Sequence, residues 1–109
     1  MAINEKVQAA ALGTSDTTIY TAPGTGTARV LLVQVANVDT ASSAANVFLD
    51  WTDDSASTTY SLANNIEVAF GDSLSLIGGG MILEANDAIK ARASASGDLE
   101  LTLAIQEIT

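Results

Sequence analysis

Asp50, Asp53 and Asp54 stand close together around Trp51. Carboxylates so placed are what a hard cation takes, because Ca²⁺ is held by several carboxylate and carbonyl oxygens. A calcium loop of the helical kind also needs a glycine for its sharp turn and a distal bidentate glutamate, and the spacing here supplies neither. The same side chains would suit glycoside hydrolysis only beside a sugar cleft lined with aromatic rings, and one Trp is thin provision. The expectation is a solvated acidic turn that holds no metal. Gly78-Gly79-Gly80 follows a strand-like run, as a phosphate-cradling loop would, but lacks the Lys and Ser/Thr of a nucleotide site. It reads as a turn between strands.

Nucleophilic chemistry has few candidates. Ser and Thr are plentiful, but the chain has no His to act as the base of a triad. Lys6 and Lys90 are the remaining bases, and no pattern pairs either with a serine. Zero Cys excludes disulfides and thiolate metal sites. Trp51, Tyr20 and Tyr60 are either a stacking platform for a carbohydrate or the large members of a core otherwise built from small residues. No catalytic residue and no cofactor is expected, and the reading tilts from enzyme to structural or binding module.

Charge narrows the partners. The net charge is −9, with four basic residues against thirteen acidic ones. Lys6, Arg29, Lys90 and Arg92 are too scattered to form the basic stripe that a phosphate backbone requires, so no nucleic acid is expected. Anionic membrane surfaces are disfavoured for the same reason, and no apolar run approaches a transmembrane span.

The elements that must position these residues are strands. Residues 99–105 read Leu-Glu-Leu-Thr-Leu-Ala-Ile, which is alternation with a period of two. Similar short runs, separated by Gly, Ser, Asn and Asp, recur over residues 17–22, 27–38, 46–52, 58–63, 66–70, 73–77, 81–84 and 89–95. Strands at such spacing predict an all-β fold, an antiparallel β-sandwich of about 8–9 strands, with the jelly roll as a candidate topology. One domain is expected at 109 residues. Residues 13–109 would form the sandwich, and residues 1–12 an arm or edge strand, with a short helix through Ala9-Ala10-Ala11 as the alternative. Residues 89–95 and 99–105 read as a hairpin closed by Ser96-Gly97-Asp98, with Lys90 and Arg92 on its solvent side.

Residues 27–38 are apolar on both faces. Leu31, Val33 and Val35 form one row; Val30, Leu32, Ala36 and Val38 form the other. A thin sandwich covers only one row, so the second is expected to be an interaction strip. Ile3 and Val7, in a segment without an evident pairing partner, are expected to join a neighbouring subunit. Ile3, Val7, Val30 and Leu32 are therefore the candidate interface residues, and a homo-oligomer, with a trimer as the first candidate, is expected.

Two stretches resemble a known family. Thr17-Thr18-Ile19-Tyr20-Thr21-Ala22-Pro23-Gly24 leads into Val30-Leu31-Leu32-Val33-Gln34-Val35-Ala36-Asn37. Leu83-Glu84-Ala85-Asn86-Asp87-Ala88-Ile89 leads into Ala93-Ser94-Ala95-Ser96-Gly97-Asp98-Leu99. From about Thr14 onward the chain is similar to small all-β virion proteins of tailed bacteriophages, found as head decoration proteins or as tail and fibre components. That resemblance implies a structural role in the virion, partners among the major capsid or other virion proteins, and no catalytic residues to carry over. The start of the chain, Met1-Ala-Ile-Asn-Glu-Lys-Val, lacks a signal-peptide layout. Together with the low Lys content and the many Ser and Thr, this fits a protein made in a host cytoplasm and released in virus particles. Head decoration is the first expectation; a tail, baseplate or fibre component, or a carbohydrate-binding β-sandwich, is the alternative.

Overall fold

A computed structural model describes residues 2–77 and 80–109. Among these residues there are nine strands and no helix: β1 (Ile3–Ala11), β2 (Thr17–Thr21), β3 (Thr27–Asn37), β4 (Ala45–Asp53), β5 (Thr58–Val68), β6 (Ser73–Ile77), β7 (Met81–Leu83), β8 (Ala88–Ala93) and β9 (Leu99–Ile108). All pairings are antiparallel. One sheet, here called A, runs β1-β9-β3, with β6 and β7 both against the far side of β3. The other, sheet B, runs β2-β8-β4-β5. Strands consecutive in sequence thus tend to alternate between the sheets, and the order is that of a jelly roll.

The core lies between the sheets. Leu99, Leu101, Leu103 and Ile105 of β9 face Val47 and Leu49 of β4 and Ile89, Ala91 and Ala93 of β8, all essentially removed from water. Alternation along each strand does this, since every second side chain points to the same face. Fully burying one such Leu or Ile is worth about 1.5–3 kcal/mol.

Four expectations change. β8 and β9 are not a hairpin. β8 pairs with β2 and β4, and β9 pairs with β1 and β3, so residues 94–98 arch from one sheet to the other. Both strands keep their apolar rows inward, as read, but from opposite sides of the core. Lys90 and Arg92 consequently lie on a different outer surface from Glu100 and Thr102.

Val30 does not belong to an accessible strip. Along β3 the register with β9 shifts between Val30 and Leu32, so Leu31 is an extra residue. Such a bulge resets which face each side chain takes. Val30 therefore joins Val33 and Val35 in the core, all at 0% exposure, and Leu31 turns outward. Strand β1 finds its partner within the chain: all nine residues pair with β9, from Ile3 with Ile108 to Ala11 with Glu100. It is an edge strand, neither a helix nor a free arm. Residues 58–63 and 66–70 merge into the single strand β5, which absorbs the break between them through register shifts and a left-handed Asn65 (φ 59°).

The reading of Gly78-Gly79-Gly80 as a turn falls mostly outside the described residues. The flanking strands do not fold back on each other: Ile77 pairs with Val33 and Met81 with Val30, so β6 and β7 run along one edge of β3 in the same direction.

Close approach requires a glycine at Gly26. Its φ is +77°, and a Cβ there would lie 2.1 Å from the carbonyl oxygen of Ile108. That contact fixes the entry to β3 against the end of β9.

Candidate functional site

The acidic residues that first suggest chemistry are dispersed by the fold. Asp50 pairs across β4 with Lys90 and Ser61 on the outer face of sheet B. Burial and the negative charge of Asp16 raise its pKa, against the pull of Arg92 and Lys90. Asp53 closes β4, and Asp54 sits in the following turn. A different trio converges: carboxylate oxygens of Asp53, Glu84 and Asp87 lie within 4.8 Å of one another. Asp87 is buried, and its oxygens accept hydrogen bonds from the backbone N–H groups of Glu84 (2.9 Å) and Asp54 (3.0 Å) and from Trp51 Nε1 (3.3 Å). These donors account for a buried carboxylate without a cation. Its task is to tie two turns at one end of the sandwich. Glu84 and Asp87 were visible in the sequence only as parts of a turn, since convergence of separate loops leaves no local signal.

The three aromatic residues do not come together as one platform. Trp51 and Tyr60 stack with ring centroids 5.3 Å apart, and Trp51 packs on the core. Tyr20 is buried elsewhere. Its hydroxyl crosses from sheet B to donate to Glu107 of sheet A at 2.5 Å, and Lys6 Nζ of β1 lies 3.3 Å from the same carboxylate. Burial, then the Glu107 hydrogen bond, pushes the Tyr20 hydroxyl well above the ordinary tyrosine range. The hydrogen bond from Tyr20, with those from Lys6 and Asn4, holds Glu107 below the ordinary carboxylate value despite its burial. The three residues form a clamp that seats the edge strand β1 on the sandwich.

What the structure does bring together is the outer face of sheet A. Pairing of β1 with β9 puts Ile3, Val7 and Ala9 in register with Ile108, Ala104 and Thr102. The bulge in β3 turns Leu31 outward, and Leu32 stands opposite Ala104 on the same face. Ile82 of β7, paired with Arg29, extends the row. Ile3, Val7, Leu31 and Ile82 are 59, 72, 44 and 61% exposed, far from the core values. Ala104 is small, so the sheet dips between Val7 and Leu31, with Glu5 and Lys6 at the rim of a shallow depression. Three of the four residues singled out from sequence, Ile3, Val7 and Leu32, therefore share one surface; Val30 lies beneath it. Sequence reading missed Ile82, because Met81-Ile82-Leu83 is apolar throughout and shows no face.

The outer face of sheet B is of another kind. The Arg92 guanidinium lies 3.6 Å above the Phe48 ring, and Lys90 and Asp50 are paired beside it. Phe48 is covered from within the chain by its own cation, an arrangement suited to water.

No protein-family model matches the sequence, and no curated protein is significantly similar to it. Among solved structures, a chain from the disulfide-linked pili that form Bacillus endospore appendages has a similar fold. Its TM-score is 0.53 at 15% identity, over 97% of this chain and 86% of that one.

Proposed function

We propose that this chain is a non-enzymatic structural subunit of a large assembly, and that it works by docking the outer face of sheet A on a neighbouring protein. The observation that carries this reading is the row of exposed Ile3, Val7, Leu31 and Ile82 on the outer face of sheet A, whereas the exposed apolar side chains of sheet B, Tyr60, Leu62 and Ile66, are confined to its edge strand β5. Contiguous exposed apolar side chains mark a contact surface, and a jelly roll offers such a face without needing a catalytic cleft. The assembly is a tailed-bacteriophage virion, with the chain as a decoration protein on the outer capsid. The resemblance of residues 17–37 and 83–99 to virion proteins supports this. So does the net charge of −9, which suits a position away from packaged DNA.

A second reading, the subunit of a proteinaceous filament, is favoured by the fold likeness to an endospore pilin. With no cysteine, such a filament would be held by non-covalent contacts rather than by disulfides. Antibody against the chain, applied to intact particles from the producing lysate, separates the two. Gold spread over capsids is the expected result. Label confined to tails or to free filaments would contradict the capsid reading, and label on no particle would contradict the structural role.

A further inference from the structure

A two-layer sandwich has four sheet edges, and an edge strand presents unpaired N–H and C=O groups that template pairing with another chain. Three edges here are blunted. β2 has five residues and a register shift between Thr18 and Tyr20. β5 carries two register shifts and the left-handed Asn65. The β6/β7 edge is split in two and bulged opposite Val33/Gln34. The fourth, β1, has none of these protections. It pairs over nine residues with no shift in register and contains no proline. Its one inward-pointing charge, Lys6, is taken up by Glu107 of its own sheet.

The orientation of the free groups follows from the end of the ladder. Ala2 and Thr109 exchange both backbone hydrogen bonds, at 2.8 and 2.9 Å. Alternation in an antiparallel pair then assigns the even-numbered residues of β1 to β9, and leaves Ile3, Glu5, Val7, Ala9 and Ala11 with N–H and C=O turned to the open side.

We propose that β1 pairs antiparallel with β1 of a second copy of this chain, with Val7 on the two-fold axis. This register places Val7 opposite Val7 of the partner subunit, Glu5 opposite Ala9 and Ile3 opposite Ala11, so the whole strand is used. The open groups would form about ten interchain hydrogen bonds, two for each facing pair. Registers centred elsewhere use fewer of the open groups, and two of them are also disfavoured by charge. Centring on Glu5 opposes two carboxylates, and centring on Lys6 opposes two ammonium groups; like charges directly opposite are destabilising. The two-fold also selects the dimer over the trimer suggested by sequence. A ring requires β1 to meet a different edge, and the other three are blunted. The contact uses the strand's edge, not its outer face, so it is separate from the docking surface proposed above. It would join two such faces into one continuous sheet.

Val7→Pro tests the pairing. Proline is tolerated on an edge strand where the missing N–H faces solvent, and the Val7 N–H is not part of the β1–β9 ladder. The unaltered chain should sediment at twice 11.1 kDa at tens of micromolar. Val7→Pro should sediment as a monomer with unchanged far-ultraviolet circular dichroism. Val7→Lys, whose side chain reaches water, should raise the dissociation constant about two- to fivefold by opposing like charges at the axis, which keeps the test decisive if the proline variant folds poorly. Leu31→Asp, on the docking face, should leave the dimer intact. A monomeric or trimeric native chain would overturn the proposal. So would a folded Val7→Pro or Val7→Lys variant that dimerises as the native chain does, or dissociation by Leu31→Asp alone.

Discussion

The two outer faces of this sandwich cover the same core and differ in what they offer the surroundings. Sheet B carries Lys90, Asp50 and the Arg92–Phe48 pair at its centre, where the ring is shielded by a cation of the same chain, and the sheet's exposed apolar side chains, Tyr60, Leu62 and Ile66, stand on the edge strand β5. Sheet A carries Ile3, Val7, Leu31 and Ile82, which stand exposed among the described residues. Burial inside the sandwich cannot explain the second set, because the inner row of the same strands is already complete: Val30, Val33, Val35, Leu101, Leu103 and Ile105. The inner set is explained by the fold and the outer set, on the proposed reading, by contact, and the bulge at Leu31 marks where one apolar run divides between the two faces.

Adjacent residues of that run give the sharpest way to break the comparison. Val30→Asp places a carboxylate in a closed apolar core, at a cost exceeding the few kcal/mol by which such a domain is stable. It should unfold the chain, as seen by loss of the β-type circular dichroism. Leu31→Asp places the same group in water. It should shift the melting temperature by a few degrees at most, and bind to particles far more weakly than the native chain. If the two variants unfold alike, the outer face of sheet A is structural.

A smaller effect sharpens the contrast through pH. Glu107 sits in the clamp between the sheets and its pKa is lowered from 4.5. Its contribution to stability is present above that value and is lost as pH falls through the folded-state value. Asp50, on the solvated face, is raised from 3.8. Its contribution is present below that value and is lost as pH rises through the folded-state value. Glu107→Gln should accordingly destabilise at neutral pH and converge on the native chain in acid. Asp50→Asn should raise stability slightly at neutral pH and change nothing in acid. Denaturant melts at pH 7 and pH 3 read both; slopes of the same sign would contradict this assignment.

Much of this architecture was legible because a period of two reports which side chains share a face. The rows Leu99-Leu101-Leu103-Ile105 and Val47-Leu49-Trp51 were read correctly on that ground, and the all-β sandwich followed. Periodicity does not report which strand is the neighbour. β8 and β9 both turn apolar rows to the core, which made them look like a hairpin although they belong to opposite sheets. Nor does it report a bulge inside an apolar run: Val30-Leu31-Leu32-Val33 has no polar residue to mark the extra position, so Val30 and Leu31 were exchanged between faces. Ile3, Val7 and Leu32 lie on the outer face of sheet A, as apolar residues without an evident inward partner in the sequence. The Tyr20–Glu107–Lys6 clamp and the Asp87 turn tie were not legible, since each joins groups far apart in sequence.

The most direct measurement uses the chain's lack of cysteine. Single Leu31→Cys and Ser61→Cys variants place one thiol on the outer face of sheet A and one on that of sheet B, with no other thiol to react. Maleimide labelling rates are compared in the free chain and in assembled particles. Assembly should slow Leu31→Cys by at least about tenfold, as the site leaves water, and leave Ser61→Cys unchanged. Equal labelling of Leu31→Cys in both states, or protection of Ser61→Cys alone, would contradict the assignment of sheet A as the contact surface.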